Sequence, residues 1–436
     1  MRKRFLSIAM AASFAMLFNA QQIKFEEYDL PNGLHVILHQ DNSAPVVTTS
    51  VMYHVGAKDE AAGRTGFAHF FEHLLFEGTK NIKRGEWFKL VSSNGGSNNA
   101  NTSPDRTYYY ETFPSNNEQL GLWMEAERLR HPVINQIGVD TQREVVKEEK
   151  RLRMDNQPYG GLFNAILTTL FKKHPYKGTV IGSMEDLNSA KLEEFNAFFK
   201  KYYIPNNATL VVAGDIKPEQ TKKWINEYFG SIPKGTPITR NFPKETPITQ
   251  EFEETVYDAN IQIPAYIFAY RTPAAKEKDA YILSMLGNYL SKGKSSVLYK
   301  KLVDNEKKAL AVEAFNLGLV DHSIFAFFAI PMGNTSKDVL KKDIDAEIKK
   351  LQTDLISEED YQKLQNQMEN NFVNANSSVE GIADTLADSY LLKGNTNLIN
   401  EEINIYRSIT REDLRNAARK YLNSNQRAII NYLPKK

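Results

Sequence analysis

Short apolar-rich stretches bounded by Gly, Pro and Asn alternate along the chain with longer stretches whose apolar residues recur on one side. The first kind reads as strands and the second as helices. Ile23 to Leu30 and Leu34 to Gln40 read as two strands joined by the turn Pro31-Asn32-Gly33, a hairpin. Val46 to Val55 is a third strand, ended by Gly56. The stretch opened by Thr65-Gly66 and closed by Gly78 reads as a helix, and Gly85 to Ser93 as another, ended by Asn94-Gly95-Gly96. Ser97 to Thr102 is polar and extended. Arg106 to Pro114 is a strand whose consecutive Tyr108, Tyr109 and Tyr110 fit sheet packing. Asn117 to His131 reads as a helix with Leu120, Trp123, Met124 and Ala126 on one side. Asp140 to Asn156 is helical and heavily charged. Asn188 to Tyr203 is a helix that leads into the buried-type strand Ala208 to Val212.

The second half echoes the first. Ser189 to Leu210 aligns without gaps onto Ser408 to Ile429: Glu193-Glu194 meets Glu412-Asp413, Lys201-Tyr202 meets Lys420-Tyr421, and Asn206 meets Asn425. Thr48 to Tyr53 and Pro264 to Tyr270 are a looser match of early strands. Between the copies, Ile232 to Pro247 is rich in Pro and Thr and has no period, as a linker would. The pattern predicts an α+β fold of two homologous domains, each a mostly antiparallel sheet packed with helices. The boundaries are 21–231 and 248–436, with 232–247 between them.

Composition narrows the function. A 436-residue chain with net charge +1 has no electrostatic claim on a nucleic acid. It contains no cysteine, so disulfides, thiol catalysis and thiolate metal ligands are excluded. Met1-Arg2-Lys3-Arg4, the apolar run Phe5 to Phe18 and the polar Asn19-Ala20-Gln21 form the pattern of a secretory signal peptide over 1–20. The expected location is therefore the periplasm, or the medium if the chain is secreted. No later stretch is apolar enough to span a bilayer.

The candidate chemistry lies in Gly66 to Thr79. Taking His69 as zero, a rotation of about 100° per residue puts His73 about 40° away and Glu72 about 60° to the other side. Both imidazoles leave one face of the helix, a turn apart, with a carboxylate beside them. Two imidazoles so placed can share a metal ion, and the carboxylate can take a proton from water. Phe67, Phe70, Phe71, Leu74, Leu75 and Phe76 surround them, so the helix should be buried. A buried carboxylate between buried imidazoles needs a shared partner, and a metal ion is the simplest. A catalytic zinc needs a third protein ligand, which here must be a carboxylate. Glu144, Glu148 and Glu149 on the charged helix all qualify by spacing. At the repeat offset the metal helix lands near Asn288, where there is no histidine, and the only histidine past position 174 is His322, so the second half should lack such a site.

Val55-Gly56-Ala57-Lys58-Asp59-Glu60 and Gly63 to Thr79, with the order His-x-x-Glu-His, resemble the pitrilysin-type zinc peptidases. That family includes the mitochondrial processing peptidases, and the chain resembles the zinc-binding subunit of a bacterial two-subunit member. The resemblance continues through Gly96 to Thr102, Asp105 to Tyr110, Arg143 to Glu149, His174-Pro175-Tyr176 and Tyr203 to Thr209. It covers essentially all of the chain after Ala20, tightly in the first half and loosely in the second. It implies that the chain is half of a clam-shell. It implies one Zn2+ per chain, held by His69, His73 and Glu149, with Glu72 as the general base of peptide hydrolysis. It further implies that an extended peptide adds as a strand along Asn98, Asn99 and Ala100, with Glu77 and Gln142 beside the metal. Some members carry a glutamate where this chain has Gln142, which can hydrogen-bond but holds no charge.

A second departure weighs more. Active members use an arginine and a tyrosine from a second-half domain to grip the substrate. The arginine aligns with Val303 and the tyrosine with Leu310 or Val312. The expectation is therefore a zinc endopeptidase of oligopeptides or unfolded segments whose missing pair comes from a paralogous partner subunit. A heterodimer is expected, with a homodimer as the other arrangement. The competing readings are a non-catalytic assembly or binding subunit on the same scaffold, and a processing factor for one dedicated peptide. Five other histidines read as ordinary residues: His35 and His39 as surface residues on a hairpin strand, His54 as structural at a strand end, and His131 and His174 at loop boundaries before proline.

Overall fold

The computed structural model describes residues 22–435, so the expected signal segment lies outside the described residues. Eleven strands form two sheets. The first sheet contains β1 (Glu26–Asp29), β2 (His35–Gln40), β3 (Val46–Tyr53), β4 (Ser97–Thr102), β5 (Thr107–Pro114) and β6 (Ala208–Gly214), in the order β1-β2-β6-β3-β5-β4. The second contains β7 (Phe252–Asp258), β8 (Ala265–Thr272), β9 (Ala309–Leu317), β10 (Ser323–Pro331) and β11 (Arg427–Pro434), in the order β7-β11-β8-β10-β9. In the first half the helices are α1 (Phe67–Leu74), α2 (Trp87–Ser93), α3 (Glu118–Arg130), α4 (Gln136–Lys150), α5 (Leu162–Leu170), α6 (Met184–Ser189), α7 (Leu192–Tyr202) and α8 (Pro218–Phe229). In the second they are α9 (Lys278–Ser291), α10 (Lys337–Thr353), α11 (Glu358–Ala375), α12 (Val379–Leu391), α13 (Leu398–Ser408) and α14 (Arg411–Tyr421).

Strand register carries the internal repeat down to single residues. Val51 on β3 faces Leu210 and Tyr109, and Phe268 on β8 faces Ile429 and Phe327. Leu210 and Ile429 are the pair that the gapless sequence match aligns. On the edge strands, Ala100 faces Tyr109 and Ala314 faces Phe327. In both sheets only one neighbouring pair is parallel, β2 with β6 and β7 with β11. The α+β expectation of two homologous sheet-and-helix halves therefore holds. No regular element lies between α8 and β7.

The two halves exchange a helix. α5 lies among the first-half elements in sequence, yet Ala165, Ile166 and Leu170 pack with Ile267, Ala269, Ile430 and Tyr432 of the second sheet. In return, Ile382, Ala383, Leu386 and Ala387 of α12 cover Ile37, Met52, Val211 and Ala213 of the first sheet. Each sheet buries one face under its own helices and the other under a helix of its partner. Beside a core within each half, two further hydrophobic clusters are therefore built from both halves.

This exchange corrects one expectation. His35 and His39 do not lie on the surface but are both buried. The ring of Tyr390, at the end of α12, stacks on His35 with centroids 3.5 Å apart. His35 Nδ1 lies 2.8 Å from an Asp29 carboxylate oxygen, and His39 Nδ1 lies 2.7 Å from the Lys24 carbonyl oxygen. Reading β2 on its own could not reveal a cover that comes from more than three hundred residues away. Helix boundaries also shift: α1 ends at Leu74 and not at Gly78, α4 ends at Lys150 in a single π-turn, Arg151–Asp155, and the helix expected over Asn188 to Tyr203 is broken at Ala190 and Lys191, between α6 and α7.

Candidate metal centre

α1 is short and is held at both ends. Its first amide groups have no partners within the helix. The Glu60 carboxylate accepts from the N–H of Gly66 at 2.8 Å and of Ala68 at 2.9 Å. Gly66 has φ 89°, and a Cβ there would sit 2.7 Å from the Ile181 carbonyl oxygen, so the entry turn requires glycine. At the far end Arg128 donates to the Leu75 carbonyl oxygen at 3.0 Å. Arg128 is fully buried between Glu111 (2.8 Å) and Glu125 (2.9 Å), with Trp87 and Tyr109 against its guanidinium plane. Burial, followed by the Glu125 carboxylate, pushes the Glu111 carboxyl well up. Tyr109 donates to the Phe71 carbonyl oxygen at 2.8 Å, and Phe67, Phe70 and Phe71 pack on Phe195.

On the exposed side of this clamped helix, His69 Nε2 and His73 Nε2 lie 3.5 Å and 2.9 Å from the same Glu149 carboxylate oxygen. One ligand atom from each of the three residues falls within 4.8 Å of the others. Tetrahedral zinc ligands at about 2.1 Å from the ion stand about 3.4 Å apart, so the spacing fits two nitrogens and one oxygen around one ion. Burial, then the neighbouring His73, pushes His69 down to about 4, which keeps its ring neutral and its lone pair free. The hydrogen bond from His73 holds Glu149 below the usual carboxylate range despite its burial. The other two candidates on α4 point elsewhere: Glu144 pairs with Lys147 and Glu148 with Arg151.

Glu72 leaves the helix beside the pair. Thr102 donates to its Oε2 at 2.6 Å. Burial raises the Glu72 carboxyl, and the Thr102 hydrogen bond opposes the rise. A carboxyl raised toward neutrality is suited to exchanging a proton with a reacting group.

β4 is the outermost strand of its sheet and runs past this centre. Asn99, Ala100 and Thr102 line a cleft of about 470 Å³ on one side, together with His69, Glu72 and Glu149. Asn98 and Ala100 line a second cleft of about 440 Å³, with His73, Phe76, Glu77 and Gln142. The Asn98 amide nitrogen is buried with no hydrogen-bond partner among the described residues. Gln142 donates to Glu77 at 2.5 Å, and Arg84 also pairs with Glu77. All nine of the predicted site residues therefore border the two clefts. Val303 packs in the core of the second half, Val312 is buried and Leu310 is exposed, and none of the three offers a polar group.

Four contributors escaped the sequence reading. Glu60 and Arg128 clamp α1, Thr102 holds Glu72, and Arg153 pairs with the outer oxygen of Glu149 at 3.1 Å. Arg153 had a legible signal, its position one turn beyond Glu149. Arg128 had none, because a charged helix position reads as solvated.

Known proteins match this frame. Residues 35–183 match the family described as "Insulinase (Peptidase family M16)", and residues 189–368 match "Peptidase M16 inactive domain". The chain is similar to the zinc protease PqqE of Helicobacter pylori, at 32% identity over 93% of this chain and 92% of that one. A crystal structure of a protease from Helicobacter pylori aligns with a TM-score of 0.87 at 30% identity, covering 94% of this chain and 99% of the other. The periplasmic protease PqqL of Escherichia coli shares the fold at 18% identity with a TM-score of 0.76, where 94% of this chain covers 47% of that chain.

Proposed function

The chain belongs to the insulinase family of peptidases, family M16, and from that premise we propose that it is a zinc-dependent endopeptidase that cleaves oligopeptides or unfolded segments. The observation that carries this reading is the convergence of two imidazoles and one carboxylate on a cleft edge, with a second carboxylate free beside them. His69, His73 and Glu149 would hold the ion. Zinc there supplies Lewis acidity toward a water and toward the substrate carbonyl. Glu72 accepts the proton that the attacking water loses and delivers it to the departing amine. Thr102 keeps the Glu72 carboxylate turned toward that proton path. An extended peptide pairs with β4 at Asn98, Asn99 and Ala100, so backbone is read before side chains. Glu77 and Gln142 border the flanking cleft and hold one another in place.

The 21–231 domain carries the chemistry, and 248–436 is its metal-free homologue across 232–247. The Arg/Tyr pair aligned with Val303 and Leu310 or Val312 comes from a paralogous subunit, so the working enzyme is two such chains. PqqL, roughly twice as long, supports that picture at the level of fold. The basic-apolar start supports export to the periplasm or beyond, and among the described residues no helix is long and apolar enough to cross a membrane. The test compares hydrolysis of an unstructured peptide by the purified chain alone and with its paralogue. Near-zero turnover alone and full turnover together is the expected outcome, and full activity from a verified monomer removes the heterodimer. The absent Arg/Tyr pair also favours a second reading, a non-catalytic binding subunit. Zinc binding without turnover in every pairing would select it.

A further inference from the structure

The helix carrying Glu149 does not end freely. α4 runs into the π-turn Arg151–Asp155, then a tight segment to Gly161, and then α5, whose Phe163 and Leu167 wall the larger cleft. Arg153 and Met154 of the π-turn line that cleft too. Backbone and side chains of this connector are tied to the metal-free half. The Asp258 carboxylate, at the end of β7, accepts from the Tyr159 N–H at 3.1 Å and from the Tyr432 hydroxyl at 2.9 Å. Its other oxygen accepts from the Asn260 N–H at 2.7 Å. The Asn260 side chain donates to the Asp155 carbonyl oxygen at 2.6 Å, and the Tyr159 hydroxyl donates to the Ile263 carbonyl oxygen at 2.8 Å.

Tyr159 has φ 61°, the left-handed region that a bulky side chain avoids. Such a conformation persists only where surrounding contacts over-determine it. Here those contacts are Asp258 at its amide, Ile263 at its hydroxyl, and the rings of Tyr432 and Phe328 about 6 Å away. Asp258 is itself buried, and three donors converge on it from three places in the chain.

We propose that Asp258 is a positioning residue for the metal centre: it fixes the connector between the Glu149 helix and the cleft wall α5. This rests on the metal-site reading above and gives the half without ligands a defined task in it. The second sheet supplies a fixed surface on which the third ligand and one wall of the cleft are registered together. Without the anchor, the strained Tyr159 turn relaxes, the last turn of α4 loosens, and the carboxylate of Glu149 wanders from the two imidazoles. Residues that orient metal ligands typically contribute ten- to hundredfold in affinity.

The experiment uses the full chain in three forms: parent, Asp258→Ala and Asp258→Asn. Amide hydrogen exchange over residues 150–162 is followed in metal-free protein, and zinc affinity is measured by competition with a chelator well below the melting temperature. Asp258→Ala should exchange at least tenfold faster across this segment and bind zinc about tenfold more weakly. Asp258→Asn keeps an acceptor for Tyr159 and Tyr432 and should recover most of both. A general loss of stability would lower the melting temperature but would not confine the exchange change to 150–162. If Asp258→Ala is too unstable to purify, Tyr159→Phe and Asn260→Ala each remove one tie and should show smaller changes in the same segment. Parent-like exchange and affinity in these variants overturn the proposal. If the parent itself fails to bind zinc, the metal reading falls. The exchange result still judges the anchor alone.

Discussion

The groove between α1 and β4 and the groove between α9 and β9 occupy the same place in two copies of one fold. In the first, His69, Glu72 and His73 face Asn99 to Thr102. In the second, Ser284, Gly287, Asn288 and Ser291 face Glu313 to Asn316 across a space of about 430 Å³. The edge strands differ as much as the helices do. The Ala100 N–H meets only the side chain of the preceding Asn99, at 2.9 Å. At the equivalent Ala314, Ser291 Oγ accepts from the N–H at 2.7 Å and donates to the carbonyl oxygen at 2.9 Å. One edge keeps its pairing groups available to an added strand, and the other has used them within its own fold. A repeated scaffold needs only a few side chains to give its two grooves different linings and different edges. The half without the paired imidazoles still holds the connector beside Glu149.

The sharpest break of this comparison is Glu72→Gln. With the paralogous partner present, loss of the proton acceptor should cost on the order of 10² to 10⁴ in kcat, with bound zinc unchanged by metal analysis. Asn288→Gln in the other groove should leave both measurements alone. A Glu72→Gln enzyme with parental turnover would erase the chemical distinction between the halves.

Next in size is the buried arginine. Arg128→Ala strands two carboxyl groups in the core and should cost about 3 to 5 kcal/mol in denaturant unfolding. In the second half Arg427 pairs with the partly exposed Glu251 and Asp345. Its removal should cost about 1.5 to 3 kcal/mol, because water can reach the partners. Equal losses would mean that the clamp on α1 is no stronger than its distant counterpart.

The third contrast probes the edges. Ala100→Pro removes an N–H from the open strand and should raise KM for an extended peptide about tenfold, or about 1.4 kcal/mol, with zinc retained. Ala314→Pro should leave KM unchanged and lower only thermal stability. A shared KM effect would show that both edges take peptide.

The last contrast is in pH. Glu118 begins α3, and Lys337 begins the corresponding helix α10. Burial pushes Glu118 up to about 7. Its folded pKa lies above the unfolded value, so the folded state holds the extra proton. That contribution is complete below about pH 4.5 and fades as pH rises through 7, amounting to about 1 to 3 kcal/mol. Glu118→Gln should therefore flatten the loss of stability between pH 5 and 8. Lys337→Gln should not change the slope there. An unchanged slope in Glu118→Gln would remove the buried carboxyl from the account.

Much of the site was legible because its signals are local. Helical spacing alone placed His69, Glu72 and His73 together, and the glycines around α1 marked its entry. Glu149 was one of three equal candidates until the resemblance, and then the geometry, favoured it. The neighbours Glu144 and Glu148 end up in surface pairs on the same helix. What stayed illegible depends on partners distant in sequence. Arg128 carried no signal in the sequence and is fully buried. His35 and His39 looked exposed and lie beneath α12. The gapless match of Ser189 to Leu210 with Ser408 to Ile429 announced the repeat, yet gave no sign that α5 and α12 would cross over.

The sequence by itself therefore determined the periods of strand and helix, the duplication, and the face on which two imidazoles and a carboxylate emerge. These follow from backbone geometry, which acts between residues a few positions apart. Only the tertiary structure decided that Glu149, and not Glu144 or Glu148, meets both imidazoles, which charges are buried, which edge strand is left unpaired, and that the second half holds the connector beside Glu149. Those outcomes depend on desolvation and packing between segments that meet only after folding, and no local period encodes which segments will meet.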